Sequence, residues 1–229
     1  MKDRILFRED FTPLRVRAYL QTGVISDQFL PLDGIMYYHH VRNEIGGEYG
    51  VKAISMPGES NVREGKNVTL PLLKSGPAGE AWFYACSVAQ WPVPTVEDST
   101  FYVKRFDLNF VDYLDTSKKG KVELAKGRFK NYHLDIYYRH ALYVDWYCVG
   151  VKDEIEKILS FCTHIGKKTA HGWGSVLKWE VVAWPEDWSI RGNGNRLMRP
   201  VPVRENGFMY ALRPSYWNPR HIFPCKMPD

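Results

Sequence analysis

Nine consecutive residues, Gly166-Lys167-Lys168-Thr169-Ala170-His171-Gly172-Trp173-Gly174, combine properties that a loop hugging a phosphodiester backbone needs. Glycines keep side-chain bulk low, so that backbone N–H groups stand open to close approach, and Lys167 and Lys168 bring cationic charge. The same residues also suit an ordinary connection turned by glycines, with Trp173 in the core, and their spacing leaves both readings open. Elsewhere the chemistry-bearing side chains are scattered. His39 and His40 follow Tyr37 and Tyr38, and a histidine beside a tyrosine can supply acid–base chemistry. Adjacent histidines cannot share one face of a helix, which argues against a paired metal site. Cys86, Cys148, Cys162 and Cys225 stand far apart without a CxxC pair and read as buried thiols. No metal or cofactor is expected.

The elements that must position the loop are legible as patterns. Ile155, Ile158, Leu159 and Cys162 have the spacing of one helical face, Asp153 with Glu156 is a capping-box signal, and Gly166 is placed to stop the helix. From Val176 the period changes to two: Leu177, Trp179, Val181 and Ala183 alternate with Val176, Lys178, Glu180 and Val182, as in a half-buried strand. Near the N-terminus Leu14, Val16, Ala18 and Leu20 alternate with Arg15, Arg17, Tyr19 and Gln21. That strand would show Arg15 and Arg17 on its open face, as a solvated surface or a nucleic-acid surface. Pro31, Leu32, Ile35 and Met36 begin a helix that Gly46-Gly47 ends. Ala81 to Val88 and Thr100 to Val111 suggest an antiparallel pair, and Asn131 to Gly150 one long bent strand or a hairpin feeding the helix at Val151.

The order helix, glycine-rich Lys/His/aromatic loop, strand near the C-terminal end resembles the signature of the RAMP superfamily, the RRM-like RNA-binding proteins of CRISPR systems. Ile165 to Val176 is similar to that superfamily's glycine-rich loop. Within it, the likeness is to the Csf-type subunit of type IV CRISPR complexes, the relative of the subunit that caps the crRNA 5′ handle. A second segment, LRVRAYLQTGVISDQFLPLDGIMYY, resembles the family's first strand and its LDGIL-like continuation. The resemblance implies an α+β, RRM/ferredoxin-like (RAMP) core with a glycine-rich loop, a basic insertion and an irregular C-terminal extension. It further implies a non-catalytic RNA-binding subunit in which Lys167, Lys168 and His171 meet phosphates, while Gly172 and Gly174 let the backbone come close. Trp173 would stack on a base or anchor the loop, and Arg15, Arg17, His39, His40 and Lys130 are the remaining expected RNA contacts. The implied partners are the crRNA, through its 5′ handle, the backbone and other effector subunits, and target DNA near its flanking motif.

Two other readings stand beside this one. A metal-independent endoribonuclease that processes precursor crRNA would use one of His39, His40, His140 and His171 as acid or base. A cytosolic α+β protein could instead bind a small ligand or another protein.

Residues 1–188 are expected to form the core, interrupted by a Gly-, Pro-, Ser- and charge-rich loop insertion at 55–80 and a basic hairpin at 115–130. Residues 189–229 carry Arg191, Arg196, Arg199, Arg204, Arg213 and Arg220 among repeated prolines, an extension that lies along an RNA or a neighbouring subunit, or wraps the core. No Walker, HExxH or GxSxG motif is present, and no GxGxxG follows a strand, so the common enzyme classes lack their minimal signals. With 45% hydrophobic residues over 229 positions the chain can build a core, and its net charge of +5 supports a polyanion partner only where the charge is clustered. The absence of a membrane-length apolar stretch, with the charged start MKDRILFRED, predicts a soluble, cytoplasmic protein.

Overall fold

A computed structural model describes residues 10–45, 68–77, 79–113 and 122–228 of the protein. In chain order its elements are β1 (Thr12–Leu20), α1 (Leu32–Ile45), β2 (Lys74–Ser75), β3 (Phe83–Tyr84), β4 (Val96–Lys104), β5 (Tyr132–His140), β6 (Tyr143–Gly150), α2 (Lys152–Leu159), β7 (Val176–Ala183), β8 (Val201–Pro202), β9 (Phe208–Ala211) and β10 (Ile222–Lys226). The architecture is α+β, with small antiparallel sheets and two helices among the described residues.

The alternation of β1 sets the centre of the molecule. Leu14, Val16 and Ala18 point to one side and are essentially inaccessible to solvent. β1 lies between β6 and β7 and is antiparallel to both, with Val16 opposite Trp146 on one side and Val181 on the other. Over this apolar face pack Leu32, Ile35 and Met36 of α1 and Ile155, Ile158 and Leu159 of α2, in one cluster with Val144, Trp146 and Cys148. β6, α2 and β7 therefore form a β-α-β unit split by β1. Outside β6 runs a further extended stretch, irregular but in antiparallel register: Cys86 faces Cys148, Gln90 faces Asp145, and Ser87 N–H donates to the Tyr147 carbonyl at 2.7 Å.

Several sequence expectations change here. Ala81–Val88 and Thr100–Val111 do not pair with each other. β4 pairs along its whole length with β5, forming a separate two-stranded ribbon, while the small residues Ala85, Cys86 and Ser87 fit against β6. Period two marks a strand but carries no information about its partner. The expected capping box is also not formed. Val151 is the N-cap and has no polar side-chain atom to cap with; Gly150 before it is pressed against the Pro71 carbonyl, and Asp153 and Glu154 lie in the first turn. α2 ends at Leu159, well before Gly166.

Residues 131–150 form the bent pair of strands β5 and β6, broken at Ala141-Leu142, each belonging to a different sheet. Gly46-Gly47, residues 55–67 of the expected loop insertion and residues 115–121 of the expected basic hairpin lie outside the described residues. The later part of the 55–80 segment is not all loop: Leu70 and Leu72 are buried in the main core, and β2 pairs with β3. Residues 122–130 make turns and a short 3-10 helix, Gly127–Phe129, leading into β5.

Beyond Trp188 the chain forms a small sheet of order β8-β10-β9, whose Leu212 and Cys225 pack on Phe83 in a second, smaller core. Two arginines of this segment are interior residues. Arg199, 2% exposed, donates to the carbonyls of Tyr84, Cys86 (2.9 Å) and Leu212 (2.8 Å), and Arg213 donates to those of Glu80 and Trp82. Asp33 of α1, fully buried, accepts from Tyr216 at 2.6 Å and so ties the extension to the first helix. All four cysteines are free and buried.

Candidate functional site

The glycine-rich loop folds as a lobe with a closed neck. Ile165 N–H donates to the Gly174 carbonyl at 2.8 Å, and His164 is in bridge register with Ser175. Gly174 has φ +70°, and a Cβ there would lie 1.9 Å from the Ile165 carbonyl oxygen, so a side chain is excluded. Gly166, φ +82°, is pressed in the same way against the Ile25 carbonyl, whereas Gly172 faces open space. Two of the three glycines thus serve the protein's own packing.

The amides follow the same logic. Lys167 N–H donates to Ile25 (2.6 Å), Gly174 N–H to Gly23 (2.8 Å), His171 N–H to Lys168 (2.9 Å) and Gly172 N–H to Thr169 (3.0 Å). The expectation of open amides is corrected at these four positions: two donate within the turn and two to the 23–25 segment packed beside it. Thr22 completes the frame: its hydroxyl donates to the Gly172 carbonyl and accepts from Ser175 N–H.

Side chains clamp the lobe to the ribbon. Trp173, half-buried, packs on Tyr138 of β5 with ring centroids 4.7 Å apart, and His171 approaches Tyr102 of β4 at 5.6 Å. Trp173 anchors the lobe. Lys167 Nζ pairs with Asp27 at 2.5 Å, an exposed pair that solvent screens. Lys168, in the left-handed conformation, is exposed together with His171 and Gly172. On the opposite face of the ribbon Phe101 and Tyr137 are 65% and 73% exposed, with Phe101 beside His133. Lys130 is exposed just before β5, and Lys104 reaches across the base of the ribbon to the Arg128 carbonyl.

The open face of the central sheet differs from the bare cationic surface that β1 alone suggests. Arg17 makes a two-pronged bond to Asp145 of β6 (2.7 and 2.8 Å) under the ring of Tyr143, and Arg15 pairs with Glu180 of β7 at 2.5 Å. The Asp145 bond pushes the Arg17 guanidinium above its usual range. Single-strand alternation could not show these partners, which come from neighbouring strands. His39 is buried, and burial with Arg42 nearby lowers its pKa to about 4; His40 beside it is half-buried. Both lie on α1, which covers the other side of the sheet from Arg15 and Arg17.

Lys167, Lys168, His171, Gly172, Trp173 and Gly174 are therefore brought together, Arg15 and Arg17 form a separate ion-paired surface, Lys130 sits on the ribbon, and the two α1 histidines stand apart. Two features escaped the sequence reading: Tyr102 and Tyr138 as the lobe's docking surface, and an aromatic cluster of Tyr147, Trp184 and Trp188 with rings 5.0–5.3 Å apart. The Trp184 and Trp188 spacing was visible, but nothing in it pointed to Tyr147. Among the described residues no group of three or more His, Cys, Asp or Glu could hold a metal ion, and no helix is long and apolar enough to cross a membrane.

An α+β protein with a clamped glycine-rich lobe beside an aromatic ribbon is the class these features define. Residues 12–228 match the family described as CRISPR type IV associated protein Csf3. The match spans nearly the whole chain, and the protein belongs to that family. It is thus a type IV CRISPR-associated subunit, with other complex subunits as its partners. No curated protein matches the chain.

Proposed function

We propose that this protein is a non-catalytic RNA-binding subunit that holds the repeat-derived 5′ handle of the crRNA and packs against the backbone subunit of the complex. The observation that carries the proposal is the lobe itself: the loop bearing Lys167, Lys168 and His171 stands between a sheet with an ion-paired, aromatic open face and a ribbon with exposed aromatic rings. An RRM/ferredoxin-like (RAMP) core is part of the proposal. Its support is the antiparallel order in which the stretch 85–90 borders β6, β6 borders β1 and β1 borders β7, with α2 crossing from β6 to β7. Neighbouring subunits would read the target's flanking motif, with this chain close by.

The test is binding of repeat RNA by the full chain over a range of salt. The double variant Lys167→Ala, Lys168→Ala is expected to weaken binding about tenfold and to flatten the salt dependence by roughly 1.4 units of slope, about 0.7 for each lysine on a single strand. Unchanged affinity in that variant, or no affinity in the parent, overturns the proposal.

One observation favours the endoribonuclease reading. His140 lies 5.2 Å, ring to ring, from Tyr138, whose hydroxyl donates to Asp98 at 3.0 Å. Incubation with repeat RNA in EDTA separates the two: cleavage that His140→Ala abolishes supports the nuclease, whereas tight binding of intact RNA supports the cap.

A further inference from the structure

At the far end of the open sheet face from the lobe is a half-open cavity of about 360 Å³. Its floor is Tyr147 and Met198, both nearly inaccessible, and one wall is Trp188. Its rim is the turn at Asn193-Gly194 and the exposed Arg196. Trp188 is fixed in place by its Nε1–H bond to Glu186 (2.9 Å), while Asp187 is occupied with Ser189. Arg196 donates to Gln90 Oε1 at 2.7 Å and approaches the Met198 sulfur, both through Nη2, so the rest of its fork of donors is not engaged.

Two flat π-surfaces, a polarizable thioether and one cation at the mouth suit a planar, hydrogen-bonding ring joined to a phosphate. The volume lies at the small end of ligand sites. A second observation points the same way. The aromatic wall continues through Trp184, 5.3 Å from Trp188, to Arg15, whose guanidinium lies 5.5 Å from the Trp184 ring. Arg15 Nε and Trp184 Nε1 are both buried without a hydrogen-bond partner. Both atoms lie outside the cavity lining and out of a ligand's reach, so what a strand would meet here is the aromatic wall itself. Arg15 precedes Tyr19, the β1 residue near the lobe, by four positions, ~13 Å at the rise of a strand.

We propose that this cavity receives one unstacked base of a single-stranded nucleic acid. Trp188 and Tyr147 cradle the ring, and Arg196 meets the adjoining phosphate or the base edge. The inference rests on the RNA-binding reading for the strand that delivers the base, and the pocket itself can be tested apart from it.

The experiment compares fluorescently labelled octa-adenylate with an octamer of the same backbone lacking bases, together with calorimetric titration of AMP into the full chain. The parent is expected to bind octa-adenylate about tenfold more tightly than the abasic octamer. Trp188→Leu should bring that ratio near one, and Arg196→Glu, a rim change that leaves the floor intact, should lower octa-adenylate affinity at least fivefold. Lys167→Ala with Lys168→Ala should weaken both octamers equally. Equal binding of the two octamers by the parent, or no effect of either pocket variant, overturns the proposal. If neither octamer binds, the RNA reading fails and AMP decides the pocket: millimolar binding lost in Arg196→Glu sustains it, and no heat of binding overturns it.

Discussion

The glycine-rich lobe at 166–174 and the extension beyond Trp188 both concentrate cations, and they use them in opposite ways. In the lobe Lys167 and Lys168 stay at the surface, and the packing constraint falls on the glycines. In the extension Arg199 and Arg213 turn inward and act as multiple hydrogen-bond donors for carbonyls of the 80–86 stretch and Leu212. The arginine fork suits this role because its five donors are spread over a rigid plane and reach carbonyls on separate segments, whereas a lysine has three donors on a single nitrogen. A cation count therefore says little about a nucleic-acid surface until burial is known.

The contrast predicts a steep difference in stability. Arg199→Ala leaves carbonyls in the interior without donors and removes the cation that lowers the pKa of buried Asp33, so a loss of about 4 kcal/mol is expected in urea unfolding. Lys168→Ala should stay within about 0.5 kcal/mol of the parent. Equal effects would break the comparison.

Within the lobe, Gly174→Ala is expected to cost more than about 2 kcal/mol, because the new Cβ meets the Ile165 carbonyl and the backbone stays at positive φ. Gly172→Ala has open space and should cost only about 1 kcal/mol, the conformational share alone. Thermal unfolding of the pair separates neck from rim.

His39 supplies a pH signature. Burial lowers its folded pKa to about 4 from an ordinary value near 6.5, so the unfolded chain takes up the proton first. The stability it protects is fully present above pH 6.5 and is lost as pH falls toward 4, by about 3 kcal/mol at the lower end. His221, also lowered by burial, acts in the same direction, so the test is a difference: His39→Gln should flatten the fall between pH 6.5 and 4 relative to the parent. The smallest effect is expected from Asp27→Asn, which releases Lys167 and should raise repeat-RNA affinity about two- to threefold at low salt with no change in unfolding. A drop in affinity would show that Asp27 orders the lysine rather than competing for it.

Local pattern alone determined a good deal. The alternation in β1, the apolar face of α2, the start of α1 and the burial of the cysteines follow from residue spacing, because one buried side of a strand or helix imposes its period whatever lies across from it, whereas β7 is a strand as expected but buries only Val181 and leaves Leu177 exposed. The coincidence of lysines, histidine and glycines in one loop was legible for the same reason. Tertiary structure alone decided partners. It paired β4 with β5, placed Asp145 and Glu180 against the β1 arginines, turned Gly174 and Gly166 toward carbonyls, and seated Trp173 on Tyr138. These contacts join residues far apart in the chain, and their free energy depends on complementarity across a gap that no single segment encodes. Arg199 is the sharpest instance: the cost of desolvating its charge is offset where three carbonyls converge, and that convergence exists only once the fold has formed.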